Sequence, residues 1–380
     1  MDAPQETQDD EMVRARIVAL LPDIAHIGVY SSASTDLSGS VSQLVNAYVD
    51  RLHSLAVSQP FELSFPRFGP QLRNLAISGC PEQRNSLPLV SAQSIETLDI
   101  GCMFNQLVWE EYVYGLNSNI MTFANLRELK LCILGVSDIQ PLGRPPIHVL
   151  FPALKRLELD SGHRTYEIFG NAAINPNLRQ LHVSGSLLAL HALCRVGITS
   201  VNHLEVYVYR DQAAGEKVLV DTLNYFFGTV RSYRTSTLNL RAYAFDLGRH
   251  EIRWTYLQVL ELNAPLVFSS LYWLIPRMPR LRSLDLMNVQ VDRHSLMLLD
   301  SENRGADTTR PRPLSQTIYI LQINRHRQDP PDMVYAVKSL VLQLPALQTI
   351  GLSPSITPAV EQLFDDELIP HGYFKSIEFM

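Results

Sequence analysis

Two histidines and a glutamate in the middle of the sequence, His182, His203 and Glu205, are the residues whose types are best suited to chemistry. If their strands lie side by side, they could hold a metal ion or act as an acid–base pair. Histidines on a sheet surface usually do neither, and the sequence contains no GxxxxGK(S/T), GxGxxG, GxSxG or HExxH motif. The sequence therefore predicts no catalytic residue, no metal site and no cofactor.

The four cysteines, Cys80, Cys102, Cys132 and Cys194, form no Cys-x-x-Cys pair. The first three each follow an apolar segment by a few residues. We interpret them as buried thiols rather than as metal ligands.

The net charge and the first residues of the sequence indicate the class of partner and the cellular compartment. The formal net charge of -6 over 380 residues is mild and argues against a nucleic-acid partner. Residues 1–11 are acidic and polar, without the features of a secretory signal, and no run of 18 apolar residues occurs. We expect a disordered segment at 1–11, a cytoplasmic or nuclear protein, and no membrane contact.

The secondary structure that would position these histidine, glutamate and cysteine residues is predicted from a sequence repeat. In each copy of the repeat, one apolar residue is followed by further apolar residues three and five positions later. Clear copies are 126–131, 154–159, 257–262 and 281–286. The fourteen centres, about 27 residues apart on average, are Ile27, Leu55, Leu75, Leu98, Leu129, Leu157, Leu181, Leu204, Leu238, Leu260, Leu284, Leu321, Ile350 and Ile377. This spacing is typical of leucine-rich repeats.

Two periods within the repeat predict its secondary structure. Apolar and polar residues alternate around each centre, as in 156–160, which indicates a short half-buried strand. Helix-compatible segments such as 270–275 and 337–342 lie between centres. Prolines that would end a helix precede several strands, at Pro152, Pro176, Pro279 and Pro345. We predict an α/β fold: one leucine-rich-repeat solenoid over 12–380, with a parallel concave sheet and with helices and turns on the convex side.

Two departures from the regular repeat predict an irregular solenoid. Regular units carry an asparagine or cysteine after the strand to bond the turn backbone, and here only Cys80 fits. The longest step between centres contains 301–313, which is rich in Arg, Gly, Thr and Pro. We expect a mobile polar loop there, either a solvated insertion or a docking peptide.

A family resemblance rests on two motifs, Leu126-Arg-Glu-Leu-Lys-Leu131 and Leu178-Arg-Gln-Leu-His-Val183, and on the absence of the asparagines that regular repeats carry. From about Ile17 to Met380 the sequence resembles the repeat region of divergent, fungal-type F-box/leucine-rich-repeat proteins. That resemblance implies repeats that hold a substrate, for a cullin-type ubiquitin ligase joined through an F-box. Leu20-Leu21-Pro22-Asp23 is similar to the opening of an F-box, but a repeat strand follows within a few residues. A ligase adaptor is therefore implied as a partner only if an F-box lies outside this chain.

The position directly after each centre faces the concave surface and is often acidic. The residues from the fourth centre onward are Asp99, Lys130, Glu158, His182, Glu205, Asn239, Glu261 and Asp285. Because parallel strands lie about 4.8 Å apart, we expect one row of side chains that could receive a basic surface of a partner protein. A surface that is merely solvated would carry the same charges.

An aromatic and basic cluster extends this row in the middle of the chain. Tyr207 and Tyr209 follow Glu205, Arg241 and Tyr243 follow Asn239, and His182 and His203 lie nearby as further partner-binding candidates. Tyrosine and arginine are frequent at the energetic centres of interfaces, although tyrosines that pack across strands would look the same. We therefore predict a non-enzymatic scaffold that binds a partner protein on the concave face, with a small-GTPase regulator and a small-molecule sensor as alternatives.

Overall fold

The computed structural model describes residues 23–30, 45–58, 69–78, 93–102, 120–133, 148–161, 172–174, 178–185, 191, 194, 201–208, 216–229, 235–241, 251–263, 266–292, 295, 297, 313–324, 330–370, 374 and 376–379. The segment 1–11 and all but the last residue of 301–313 lie outside these residues, so the predictions made for them stay predictions.

The described residues form nineteen strands. In chain order they are β1 (His26–Tyr30), β2 (Ser54–Ser58), β3 (Asn74–Ser78), β4 (Thr97–Cys102), β5 (Ile120–Thr122), β6 (Glu128–Ile133), β7 (His148–Phe151), β8 (Arg156–Ser161), β9 (Ala172–Ile174), β10 (Gln180–Gly185), β11 (His203–Val208), β12 (Thr235–Arg241), β13 (Val259–Asn263), β14 (Leu266–Val267), β15 (Ser283–Leu286), β16 (Val289–Gln290), β17 (Ile320–Ile323), β18 (Thr349–Leu352) and β19 (Glu378–Phe379).

Fourteen of these strands make one long parallel sheet. Its order is β1-β2-β3-β4-β6-β8-β10-β11-β12-β13-β15-β17-β18-β19, so the strands follow one another in chain order. Every predicted centre lies within one of these strands except Ile377, which directly precedes β19. The predicted α/β class with a long parallel sheet is confirmed.

The alternation of side chains explains why each copy of the repeat forms a strand. In the copy that contains β6, Leu126, Leu129 and Leu131 are at most 1% exposed, whereas Glu128 and Lys130 are exposed. Burying a leucine side chain stabilises a fold by roughly 1.5–3 kcal/mol. Each copy gains little by itself, because its leucine face needs a second apolar layer to cover it.

Backbone hydrogen bonds join each repeat to the preceding one in a fixed way. The N–H groups of His53 and Ser54 both donate to the carbonyl of Ala25, at 2.8 and 3.1 Å. The same pair of bonds to one carbonyl recurs at most of the described junctions, for example from Arg282 and Ser283 to Gln258. These bonds set the register at the start of each strand.

Short strands and helices form the remaining elements. Small parallel sheets are made by β5, β7 and β9 and by β14 and β16. The helices whose bounds the structure describes are α1 (Glu216–Thr229), α2 (Ser269–Leu274) with a 3-10 turn (Ile275–Arg277), α3 (Pro330–Leu342), and α4 (Thr357–Leu363) with a π-helical turn (Phe364–Leu368). A helical turn also covers 45–48. The predicted helical segments 270–275 and 337–342 are confirmed, and Pro279 and Pro345 follow shortly after these helices end.

The chain divides into two compact units. The first unit comprises Met1–Leu181 with Arg195–Ile198, and the second comprises His182–Cys194 with Thr199–Met380. The three-stranded sheet belongs to the first unit, where the buried rings of Phe123 and Phe151 stack with centroids 5.5 Å apart. Helices α1 to α4 all belong to the second unit.

Candidate functional site

The first unit places Asp99, Lys130 and Glu158 side by side on the polar face of its sheet. The register pairs Asp99 with Lys130 and Lys130 with Glu158. Lys130 Nζ lies 3.1 Å from Glu158 Oε1, and Arg156 Nη2 lies 3.4 Å from Glu158 Oε2. Two cations of the same unit therefore already neutralise the Glu158 carboxylate.

The pKa shifts in this group have separate causes. Burial raises the pKa of Asp99, the positive charge of Lys130 lowers it, and the negative charge of Glu158 raises it. The hydrogen bond to Glu158 is the main reason why the pKa of Lys130 is raised. The three residues and Arg156 thus satisfy one another, which leaves little charge for an external partner.

Cys132 lies on this same polar face, and its position corrects the prediction that it is a buried core thiol. It pairs in register with Asp160, its side chain is half-buried, and its Sγ lies 3.8 Å from Asp160 Oδ2. Burial, followed by the negative charge of Asp160, raises the pKa of the thiol, which disfavours the reactive thiolate. Cys80 lies outside the described residues.

In the second unit, His182 and Glu205 form a hydrogen-bonded pair on the polar face. His182 Nδ1 lies 2.9 Å from Glu205 Oε2, and the ring of His182 lies against that of Tyr207, with centroids 5.1 Å apart. His203 is exposed on the same face, two residues before Glu205. Among the residues that the structure describes, no three His, Cys, Asp or Glu side chains are grouped so that they could hold a metal ion.

The prediction of a single row is wrong from Asn239 onward, so that Glu261 and Asp285 also lie outside the row of Glu205, because β12 is displaced by two residues from the predicted alignment. The register pairs Leu204 with Ser236 and Tyr207 with Asn239. Asn239 therefore lies in the row of Tyr207 and not in that of Glu205. A displacement of two residues keeps every side chain on its own face, since the side-chain period of a strand is two.

Ser236 is the residue that this displacement brings opposite Leu204, and the sequence pattern did not reveal it. It occupies the core position that Leu204 holds on the preceding strand, and it is completely buried. Its Oγ donates to the carbonyl of Tyr256 at 2.6 Å and accepts from the N–H of Gln258 at 3.0 Å. A search for apolar centres passes over a serine, although a fully bonded hydroxyl can occupy a core position.

With this register, one row of polar-face side chains crosses five strands of the second unit, from β11 to β17. We call it the acidic row, and in register it consists of Tyr207, Asn239, Glu261, Asp285 and Gln322. Asn239 Nδ2 donates to Glu261 Oε2 at 2.5 Å, and Asn324 Nδ2 donates to Asp285 Oδ1 at 2.9 Å. The sequence reasoning missed Gln322 and Asn324, because their strand lacks an acidic residue after its centre.

The electrostatics of the acidic row differ from those of the group around Glu158. Burial raises the pKa of Asp285, and the negative charge of Glu261 raises it further, whereas the hydrogen bond from Asn324 lowers it. In the described part of the second unit, no basic side chain forms an ion pair with Glu261 or Asp285. These two neighbouring carboxylates therefore repel each other, and in the described structure neutral amides rather than cations offset that repulsion.

The rest of the predicted aromatic and basic cluster is only partly described. Arg241 ends β12 and pairs in register with Asn263. Tyr209 and Tyr243 lie outside the described residues. The part of this cluster that the structure brings together is Tyr207 with His182 and Glu205, and its role in binding stays a prediction.

Cys194 is a shielded thiol. Its side chain is half-buried, and burial raises the pKa of the thiol to about 12. Such a group is almost entirely protonated at neutral pH, which makes it a poor nucleophile.

None of the helices that the structure describes has the length and apolar composition needed to cross a membrane. No protein-family model matches the sequence, and no curated protein matches it either. A function for this chain is therefore best inferred from the geometry of its polar face.

Proposed function

We propose that this chain is a non-enzymatic scaffold of the leucine-rich-repeat type, which binds a partner protein on the polar face of its second unit. The observation that carries the proposal is the alternation of the strands, which bury their leucines on one face and present polar side chains in register on the other. Strands held in register keep such side chains at fixed spacings. A partner therefore meets a surface that needs little ordering when it binds.

The composition of this face supports a protein partner. Tyr207 and His182 offer aromatic surface, and the neighbouring Glu205 and Glu261 offer charge. Interfaces commonly combine aromatic anchors with surrounding polar groups. Binding of this kind needs neither a reacting group nor a cofactor.

Site-specific photo-crosslinking tests the proposal. A benzophenone amino acid replaces Tyr207 on the polar face, or Tyr335 on helix α3 as the matched control, since both tyrosines are half-exposed. Each protein is irradiated in extract from its native cell, and the adducts are identified by mass spectrometry. We expect a defined protein adduct from position 207 that position 335 does not give. Equal adducts from both positions, or adducts from position 335 alone, would refute the proposal.

A narrower version of the proposal is a substrate receptor for a cullin-type ubiquitin ligase, and it rests on the family resemblance alone. It makes a separate prediction, namely that the chain joins the ligase adaptor only when an F-box is fused to it. Size-exclusion chromatography of the purified chain with the adaptor, with and without a fused F-box, checks this. Failure of the fused protein to carry a bound partner to the adaptor would exclude this version and leave the scaffold proposal in place.

A further inference from the structure

We propose that Glu261 and Asp285 of the acidic row form the docking point for an arginine side chain of the partner protein. This inference rests on the proposed function and names the chemistry that the polar face recognises. The proposed docking point does not include Glu158, although the sequence pattern alone does not distinguish Glu158 from the other acidic residues.

The two acidic regions differ in whether their charges are already paired. Glu158 has Lys130 and Arg156 within 3.4 Å. Within the described part of the chain, the hydrogen-bond partners of Glu261 and Asp285 are the neutral amides of Asn239 and Asn324. A cationic partner would therefore displace an existing ion pair at Glu158, but it would meet none at Glu261 and Asp285.

The basic residues of the second unit that have contacts in the structure are engaged elsewhere. Arg253 is paired with Glu251 at 2.6 Å, and Lys338 is paired with Glu367. The Arg277 guanidinium lies 3.8 Å from the centre of a ring of Trp273, and the Arg280 guanidinium lies 4.8 Å from the centre of the Tyr256 ring. The charges of the acidic row are thus not neutralised by these residues.

The hydrogen bonds leave one oxygen of each carboxylate available. Asn239 engages Oε2 of Glu261, and Asn324 engages Oδ1 of Asp285. Among the described residues no donor reaches the other oxygen of either group. Glu261 and Asp285 are paired in register on adjacent strands, so their backbones lie about 4.8 Å apart.

A guanidinium group fits this arrangement better than an ammonium group does. Its five N–H donors lie in one rigid plane and can bond two acceptors at once, whereas an ammonium is a compact point charge. Two half-buried carboxylates on neighbouring strands are such a pair of acceptors. Burial and, to a lesser extent, repulsion from Glu261 raise the pKa of Asp285, and a bound cation would offset both effects.

Two further features of the row concern the neighbours of the two carboxylates. Asn239 is buried and its amide Nδ2 faces Glu261, while its Oδ1 has no hydrogen-bond donor in the described structure, so Asn239 holds Glu261 in place without neutralising its charge. On the other side of Asp285, the side chain of Gln322 leans over Gly351, where an added Cβ would lie 3.2 Å from Gln322 Cγ. Gln322 therefore does not cover Asp285.

Fluorescence anisotropy with a defined probe tests the inference. The probe is a fluorescein-labelled ten-residue peptide of alternating arginine and serine. One comparison peptide replaces arginine by citrulline, which keeps the shape without the charge, and another replaces it by lysine. The site variant is Glu261→Gln with Asp285→Asn. The control variant, Glu361→Gln with Asp365→Asn, makes the same charge change at exposed residues of α4 and the turn after it.

We expect the full chain to bind the arginine peptide at least about tenfold more tightly than the citrulline peptide, and more tightly than the lysine peptide. The site variant should lose that preference while the control variant keeps it. Equal binding of the arginine and citrulline peptides, equal binding of arginine and lysine, or equal losses in the two variants would each overturn the inference.

Binding of the partner found by crosslinking at position 207 to the site variant distinguishes a failure of the arginine site from a failure of the proposed function. If that partner binds the site variant as tightly as it binds the unchanged chain, the arginine site is refuted and the scaffold stands. If crosslinking shows no preference for the polar face, the scaffold itself fails, whatever the peptides do.

Discussion

Replacing Ser236 by alanine should destabilise the second unit far more than a serine-to-alanine change normally does. The substitution removes the bond from Oγ to the carbonyl of Tyr256 at 2.6 Å and the bond from the N–H of Gln258 at 3.0 Å. Ser236 is completely buried, so the position that its hydroxyl leaves is closed to solvent. The Gln258 N–H keeps a longer bond, 3.2 Å, to the carbonyl of Ser236.

The expected loss of stability can be worked out from these contacts. A net hydrogen bond contributes about 1 kcal/mol, and a buried group left unsatisfied costs about 1–3 kcal/mol. Because Gln258 stays partly bonded, we expect a loss of about 2 kcal/mol. For a unit of this size that corresponds to a fall in Tm of about 4–8 °C.

Thermal unfolding followed by circular dichroism measures this change, with Ser283→Ala as the matched control. Ser283 lies on β15, is half-buried, and makes no side-chain hydrogen bond in the described structure. The control should change the stability by less than about 0.5 kcal/mol. Faster amide exchange at 257–263 in the Ser236 variant would locate the damage. Equal Tm values for the two variants would refute the assignment of Ser236 to the core and with it the register of β12.

Three further outcomes are expected. Asp285→Asn should raise the Tm at pH 7, because the pKa of Asp285 is raised in the folded protein and its charged form therefore disfavours folding above that pKa. The Tm difference between the variant and the unchanged chain should vanish below pH 3.8, where the carboxyl is protonated in both the folded and the unfolded state. A lower Tm of the variant at pH 7 would contradict this. Glu158→Gln should lower the free energy of unfolding by less than about 1 kcal/mol, because the ion pairs of Glu158 are partly exposed. A double-mutant cycle with Lys130→Met should assign a measurable part of this loss to the Lys130–Glu158 pair, and a coupling energy of zero would contradict the prediction. Cys194 should resist iodoacetamide at pH 8 in the folded protein and react after unfolding, because its thiol has a pKa of about 12; peptide mapping that finds it fully labelled in the folded protein would show that it is not shielded.

The strands and the core could be predicted from the sequence because their signal is local. Leucines such as Leu129 and Leu131 alternate with charged residues, and this period is enough to specify a half-buried strand. Repetition of the pattern then predicts a parallel sheet whose strands follow chain order. The small sheet of β5, β7 and β9 has no comparable pattern, because each of its strands has only three or four residues.

The alignment of the strands and the pairing of charges could not be predicted in the same way. Placing Leu238 beside Leu204 or beside Val206 satisfies the same alternation, and the choice depends on the hydrogen bonds of Ser236 to the next repeat. Likewise, Glu158 and Glu261 both follow the central leucine of their copy of the repeat. Glu158 is paired with Arg156 of its own strand and with Lys130 of the neighbouring strand, whereas the residue beside Glu261 on β12 is Asn239, and the sequence around Glu261 does not reveal that neighbour.

Carboxylate footprinting of the complex with the crosslinked partner tests the central claim most directly. Carbodiimide coupling of a small amine reports how accessible each carboxylate is, with and without the partner. We predict protection of Glu205, Glu261 and Asp285 on the polar face, and unchanged labelling of the exposed Asp221 on α1 and Glu361 on α4. Protection of Asp221 and Glu361 while the polar face stays fully labelled would show that the partner binds elsewhere and would contradict the proposed function.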